Sequence, residues 1–488
     1  MSKRPDNAGE ARAPIQLKMN FSGENPLADA LRTGTFTILI EQSSPPREQP
    51  FESATATAVA IAKRLAAIPE VAGLAVTDRQ RIEDTHDPVD TASLLADTAG
   101  KPSLMILSGK ASSRDRVRDV LARAASRGIR NILPVSGDKS DRHDLKKTPT
   151  GRILPYPAGY FDSVAALNLI RTTTTGLYAG AGVNPFKYNA ADQYLQYFKM
   201  LRKIASGANF LVTHVGWDMK KLQELQWFLQ MREITWPVIA RLPLLSAQDI
   251  AVIHDGFHPG VHAARLFYAM LQRESTVNPA QCLAAQLTRL GLQAAGCRLL
   301  GYSGIQLTGI RDVKTLDMAL AKIREALDTH TTYNGWLAAW NEFHNFIDFA
   351  PHSHAFYAFE NLLKPDFQSY RADQCLPVAR AWPKTRLGDL CRSLGLRLGL
   401  AAYAPEWVHS TARFLGCGRC KSPACGLRAC HYLCPEICPK GLAFGACGGS
   451  FPDGTCEFGH APCFYHRVLA LAASRGELER LEEGVQES

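Results

Sequence analysis

A chain of 488 residues is too long for one small core, and common domain sizes point to two or three domains or to one large barrel with an appendage. Apolar residues make up 46% and charged residues 21%, the balance of a folded soluble protein, so disorder is expected only at the ends. The formal charge of +9 is thinly spread, with no dense Lys/Arg run interleaved with aromatics. That argues against a nucleic-acid surface and leaves small anionic ligands as the better class.

Residues 1–20 read as a mobile, polar N-terminus without the apolar core of a signal peptide. No later run reaches the roughly 18 to 20 apolar residues that cross a bilayer, so no membrane contact and a cytoplasmic location are expected. From there the chain alternates. Thr35 to Glu41 is a β-rich run ending in a carboxylate, and Ser44-Pro45-Pro46 stops it. Phe51 to Ala67 has a helical, alanine-rich pattern, Gly73 to Asp78 is a second strand, Ser93 to Ala99 is helical and Ser103 to Leu107 is a third strand.

The helix Arg114 to Ser126 leads through Gly128, a suitable residue for a helix C-terminus, into the short apolar run Ile132, Leu133, Val135. Ser136-Gly137-Asp138 follows as its exit. An Asp in such a place often caps the next helix, and a functional carboxylate is the competing assignment. Strands at Thr175 to Val183, Asn209 to His214, Trp236 to Leu242 and Gly304 to Gly309 follow, with helices at Phe161 to Arg171, Ala191 to Ala205, Lys220 to Met231, Ala247 to His254, His262 to Arg273, Pro279 to Ala295 and Val313 to Leu327.

Eight strands alternating with helices, and no G-x-G-x-x-G after the first, fit a (β/α)8 TIM barrel over residues 21–330 better than an open doubly wound sheet. Strand exits in a barrel share one end, so Glu41, Thr77, Asp138, Asn184 and His214 should converge on one pocket. Residues 331–416 read as a helical connecting region. Trp336, Trp340, Phe343, Phe346, Phe349 and Phe356 there form a packed core or interface, and His352 and His354 are surface residues. Residues 417–470 are cysteine-rich, and 471–488 read as a solvated acidic tail.

Thirteen cysteines are present, and Cys282, Cys297, Cys375 and Cys391 are scattered as ordinary buried thiols. The other nine, Cys417, Cys420, Cys425, Cys430, Cys434, Cys438, Cys447, Cys456 and Cys463, crowd into C-x2-C-x4-C-x4-C-x3-C-P-x2-C-P-K-G and the stretch after it. Such density in a cytosolic chain points to metal ligation by thiolates, enough for two four-ligand sites. Tetrahedral zinc and an iron–sulfur cluster both suit the set.

At the strand exits the sequence resembles the methylenetetrahydrofolate reductase family. The residues that carry the resemblance are Glu41 with Pro45-Pro46, Ala75-Val-Thr77-Asp78, Gly128 through Ser136-Gly137-Asp138, Val183-Asn184-Pro185 and Gly207-Ala-Asn-Phe-Leu-Val-Thr213. The resemblance implies a flavin-dependent barrel interconverting 5,10-methylene- and 5-methyl-tetrahydrofolate by hydride transfer, with FAD as cofactor and NAD(P)H as electron donor. Glu41 corresponds to the family's general acid, which calls for an apolar mouth that keeps its carboxyl protonated. Asp138 corresponds to the carboxylate beside flavin and pterin. Thr77, Ser136, Gly137, Asn184, Arg202 and Lys203 fall where the family contacts FAD, the last two facing its phosphates or, in the plainer alternative, solvent.

Two departures accompany the likeness. His214 stands where many members carry a folate-holding glutamine, and Ser103-Leu-Met-Ile-Leu107 replaces a histidine-containing third strand. The cysteine-rich end resembles the C-terminal domain that accompanies some of these reductases, fused or as a partner subunit. A second expectation follows from the departures: a folate-binding scaffold that docks a redox or methyltransferase partner, with little or no reductase activity. A homo-oligomer is compatible with either.

Overall fold

In the computed structural model the described residues are 25–78, 84–139, 146–147, 153–154, 159–173, 176–253, 260–366, 428–431, 433, 435–459 and 461–484. Eight parallel strands close into a barrel: β1 Thr37–Ser43, β2 Val71–Thr77, β3 Ser103–Ser108, β4 Asn131–Val135, β5 Tyr178–Val183, β6 Phe210–Thr213, β7 Val238–Pro243 and β8 Gly304–Thr308. They neighbour one another in chain order, and β1 pairs with β8 through Thr37 opposite Gly304 and Ile40 opposite Leu307. The expected (β/α)8 fold is therefore the observed one.

The helices arise from ordinary local signals. Helix α1 (Pro26–Arg32) starts with proline in its first turn and is capped by the Asn25 side chain, which accepts from the Ala28 amide at 3.3 Å. Helices α2 (Phe51–Leu65), α3 (Pro88–Ala99), α4 (Arg114–Ser126), α5 (Ser163–Thr173), α6 (Ala190–Ala205) and α7 (Met219–Met231) follow β1 to β6 in turn. Between β7 and β8 lie α8 (Ala247–Ile253), α9 (Arg265–Val277) and α10 (Pro279–Leu299), and α11 (Val313–Thr329) completes the ring.

Period-two alternation divides the strands between two cores. Ile38 and Ile40 face the helices, whereas Leu39 faces inward with Ala75, Leu104, Ile106, Leu133, Tyr178, Phe210, Val212 and Ile239. Helix α1 closes this inner core with Leu27, Ala28 and Leu31, and Asn25 donates to the Asn131 side chain at 2.9 Å. Gly180 makes room inside: a Cβ there would lie 2.5 Å from the Phe210 ring, which stacks on Tyr178.

Beyond the barrel, α12 (Tyr333–Phe343) packs on α10, with the Trp336 indole donating to the Leu292 carbonyl at 2.8 Å. Asn345 and Phe346 then take left-handed conformations (φ 50° and 56°) and end the helix. Trp336, Trp340 and Phe349 are buried as expected, but Phe346 is 77% exposed. His352 and His354 are exposed. Helix α7 carries buried Lys221 and Glu224, which meet at 3.0 Å, and Lys221 also reaches the Phe356 carbonyl at 2.8 Å. This network pins the irregular segment 356–363 onto the ring.

The C-terminal segment ends in α13 (Phe464–Arg475) and a short 3-10 turn at Leu478–Leu481. The stretch expected as a solvated acidic tail is docked in part, with Glu479, Arg480 and Glu483 exposed. Leu481 is buried, Arg232 pairs with Glu482, and Arg202 reaches the carbonyls of Arg480 and Glu483. Cys282 and Cys297 are buried thiols, and Cys375 and Cys391 lie outside the described residues. No helix among the described residues is long and apolar enough to cross a membrane.

Since α1 is what seals the inner core, Leu31→Ala should lower unfolding free energy by about 2–5 kcal/mol in a urea titration. An unchanged midpoint and slope would mean that the plug adds nothing to the barrel.

Candidate functional site

The geometry of the mouth follows from register. Gln306 on β8 sits opposite Leu39 on β1 and Arg241 on β7, and Glu41 lies two residues beyond Leu39 on the same inward face. The Glu41 carboxylate therefore meets three elements at once. It accepts from Arg241 Nε at 2.6 Å and from a terminal Arg241 nitrogen, from Gln306 Nε2 at 2.7 Å and from Thr77 Oγ1 at 3.0 Å. Only 4% of Glu41 is exposed. The apolar surroundings expected of a proton-donating Glu41 are thus absent: four donors aim at the two oxygens, an arrangement that serves a proton acceptor or hydrogen-bond acceptor.

Asp138, at the β4 exit, caps no helix among the described residues. Its Oδ1 accepts from Lys110 Nζ at 2.9 Å, and Lys110 is a buried lysine on the loop after β3. Gly137 lets that loop approach, with φ +88° and a place where a Cβ would fall 2.7 Å from the Lys110 Cβ and from Ser108 Oγ. The Tyr160 hydroxyl donates to the Asp138 carbonyl at 2.9 Å.

His214, at the β6 exit, lies beside Asn184: both approach the same face of Gly260. Burial and the nearby Arg241 charge hold the His214 imidazole down at about 3, so it is neutral across the physiological range. Its ring Nδ1 lies 3.3 Å from the Val215 carbonyl.

The remaining residues expected to hold FAD have other partners. Asn184 Nδ2 donates to the Gly448 carbonyl at 3.0 Å. Lys203 Nζ donates to the Gly182 carbonyl, and burial, with Lys199 nearby, brings it down to about 7. Arg202 is spent on Arg480 and Glu483, as described, so neither basic residue faces a phosphate or solvent. Ser136 Oγ is 3.2 Å from Ser163 Oγ, and the Gly137 carbonyl accepts from Lys440 at 2.6 Å. Of that set, Thr77 and Asp138 stay on the mouth. The residues present do not fit the flavin as the resemblance arranges it.

The cysteines are divided by description: Cys417, Cys420, Cys425 and Cys434 lie outside the described residues. Cys430 donates to the Ala443 carbonyl at 3.2 Å and Cys447 to Glu457 Oε1 at 3.3 Å, and burial pushes both thiols up to about 12. Cys456 is pushed to about 11, and burial raises Cys438 and Cys463 also. Among the described residues no three His, Cys, Asp or Glu side chains gather as a metal-ligand set.

Arg241, Gln306 and Lys110 complete the mouth and were not singled out from sequence. A signal existed for two of them: Arg241 is the lone charge in the run Trp236 to Leu242, and Gln306 the lone amide in Gly304 to Gly309. A buried carboxylate ringed by donors at the strand exits of a (β/α)8 barrel marks an enzyme-type site. The chain belongs to the methylenetetrahydrofolate reductase family, matched over residues 27–255, and it matches the methylene-tetrahydrofolate reductase C-terminal family over 407–488.

No curated protein matches the chain. Among solved structures it is similar to an uncharacterized Clostridium thermocellum protein that binds two copies of 5-methyl-5,6,7,8-tetrahydrofolic acid, at 12% identity, covering 62% of this chain and 99% of that one, with a TM-score of 0.46. It is also similar to Yersinia pestis DHPS with a pterine-sulfa conjugate (12% identity, 60% and 94% covered, TM-score 0.34). A Coxiella burnetii dihydropteroate synthase in complex with pteroic acid matches at 13% identity over 60% and 92%, with a TM-score of 0.33. Likenesses this weak say nothing about ligands.

Two outcomes test the site's electrostatics. Arg241→Met should cost about 3–5 kcal/mol, because it strands a buried carboxylate, and Glu41→Gln in the same chain should recover much of that loss in thermal unfolding. For His214 the ordinary value of 6.5 applies when unfolded and about 3 when folded. Between these the unfolded chain holds the extra proton, so stability is lost as pH falls below about 6.5. His214→Gln should flatten that limb of the stability–pH curve, and an identical limb would reject the assignment.

Proposed function

We propose that the chain is a methylenetetrahydrofolate reductase-type oxidoreductase acting on the one-carbon unit of tetrahydrofolate at the barrel mouth. The observation that carries this is the inward cluster of Glu41, Thr77, Arg241 and Gln306, with the Asp138–Lys110 pair at the β4 exit. Glu41 is the expected proton-transfer residue and Asp138 the pterin partner, with His214 at the folate's edge.

In the oxidative direction, hydride leaves the N5 methyl group of 5-methyl-tetrahydrofolate for a two-electron acceptor, leaving an N5 iminium. N10 bonds to that carbon, the iminium electron pair returns to N5, and the N10 proton passes to Glu41. The reductive direction runs the same steps backwards, with Glu41 returning the proton and a nicotinamide as the expected hydride source. Arg241, Thr77 and Gln306 orient the carboxylate throughout. FAD bound by the family would supply hydride transfer, but no step here depends on it, given the partners that its expected residues have.

That same arrangement favours a second reading: a folate-binding member with reduced or no reductase activity. Cysteine number and spacing support zinc or an iron–sulfur cluster in the C-terminal part, which metal analysis of the purified chain would identify. The activity test is methyl-tetrahydrofolate-dependent reduction of a quinone by the full chain. Glu41→Gln should slow it by about 100-fold or more while folate binding persists. Folate binding without turnover in the wild type would select the second reading, and no folate binding at all would reject both.

A further inference from the structure

Along one sector of the mouth the barrel meets its own C-terminal segment through buried cations that end on backbone carbonyls. Lys187, on the loop after β5, is 1% exposed and donates to the Ser450 carbonyl at 2.6 Å and to Ser450 Oγ at 3.1 Å. Lys199, on α6, donates to the Gly445 carbonyl at 3.0 Å and lies 3.4 Å from Asp162. From the other side Lys440 reaches the Gly137 carbonyl while pairing with Glu457 at 2.6 Å, and the Phe444 amide donates to Asp162 at 3.3 Å. Asn184 on Gly448 lies between them.

Two glycines make the approach close enough. A Cβ at Gly445 (φ +130°) would fall 2.9 Å from the Lys199 stem, and one at Gly448 (φ +85°) 2.9 Å from Gln196 Oε1 and 3.4 Å from the Asn184 Cβ. A buried ammonium without a partner is costly, so Lys187 depends on the Ser450 oxygens, while Lys199 and Lys440 divide their donors between a carbonyl and a carboxylate. An anionic diphosphate could take the cations only after the carbonyls had left.

We infer that Phe444–Ser450 is the resident occupant of the sector assigned by family likeness to the flavin, and that the folded chain holds no FAD there. The inference takes that sector from the same likeness on which the proposed function rests, and its test is separable. Rigid docking of the segment makes bound FAD and the docked segment mutually exclusive.

The experiment uses the full chain, with FAD as probe, read by flavin fluorescence anisotropy and by amide hydrogen exchange. Wild-type protein should purify colourless in the flavin bands, give no anisotropy rise through the micromolar range, and keep 444–450 protected with FAD in excess. Gly448→Leu, which wedges the seam, should speed exchange at 444–450 and raise apparent FAD affinity by about tenfold or more. Gly445→Val, which crowds the Lys199 stem from the segment's own side and leaves every lysine in place, provides the same readout should the leucine variant fail to fold. Flavin copurifying in equal amount with the wild-type chain overturns the inference, and so does failure to bind FAD by a variant whose 444–450 amides have become exchangeable. Binding of 5-methyl-tetrahydrofolate to the same preparations reports on the folate assignment independently, whichever way the flavin result falls.

Discussion

Closure of the sheet is the constraint on which everything else rests. Once β1 hydrogen-bonds to β8, the strands have no free edge, their inward residues must fill a common interior, and their exits must share one end. Glu41, Thr77, Arg241 and Gln306 become neighbours through that register although Glu41 and Gln306 lie 265 positions apart in the chain. Opposite them, α1 seals the interior with Leu27 and Leu31. One end of the barrel is therefore plugged with hydrocarbon, and the other holds charge.

Charge at the mouth is tolerated because it is matched. Glu41 has a guanidinium and two neutral donors, Asp138 has Lys110, and His214 stays neutral beside Arg241. A similar demand operates outside the strands, where Lys187, Lys199 and Lys440 join the barrel to its C-terminal segment. Each takes a backbone carbonyl, those of Gly137 and Gly445 at positive φ, beside whatever side-chain oxygen it meets, so composition carries only part of the match. The seam also explains why the basic pair Arg202 and Lys203 faces neither solvent nor a phosphate: the segment Leu478–Glu483 and the Gly182 carbonyl claim it.

Much of the barrel was legible because its signals are local and repeat. Short apolar runs alternate with helical stretches, several of which open on a capping side chain such as Asp87, Ser113, Asn189 or Asp218, and the strand positions inferred from them overlap the observed strands. The mouth was legible in part, since Glu41, Thr77 and Asp138 stand at strand exits that a closed sheet must gather. Arg241 and Gln306 escaped notice because a single polar residue in an apolar run looks the same whether it caps, pairs or binds. Helix α7 was placed from its pattern, but the pattern carried nothing about its polar residues: Lys221, Gln223 and Glu224 are each buried beneath the segment 356–363.

By itself the sequence determined which segments are strands and helices, that they alternate, and which carboxylates lie at their ends, because each of those depends on residues a few positions apart. Family membership was visible for the same reason, in short motifs at those ends. Tertiary structure alone decided what faces each carboxylate and what fills the space beside it. Those depend on pairs such as Glu41 with Arg241 and Asn184 with Gly448, whose meeting is fixed by sheet closure and by docking of a distant segment. Hydrogen bonds to backbone carbonyls leave no pattern in side-chain identity, and that is why the partners of Asn184, Lys187 and Lys199 could not be read from the sequence around them.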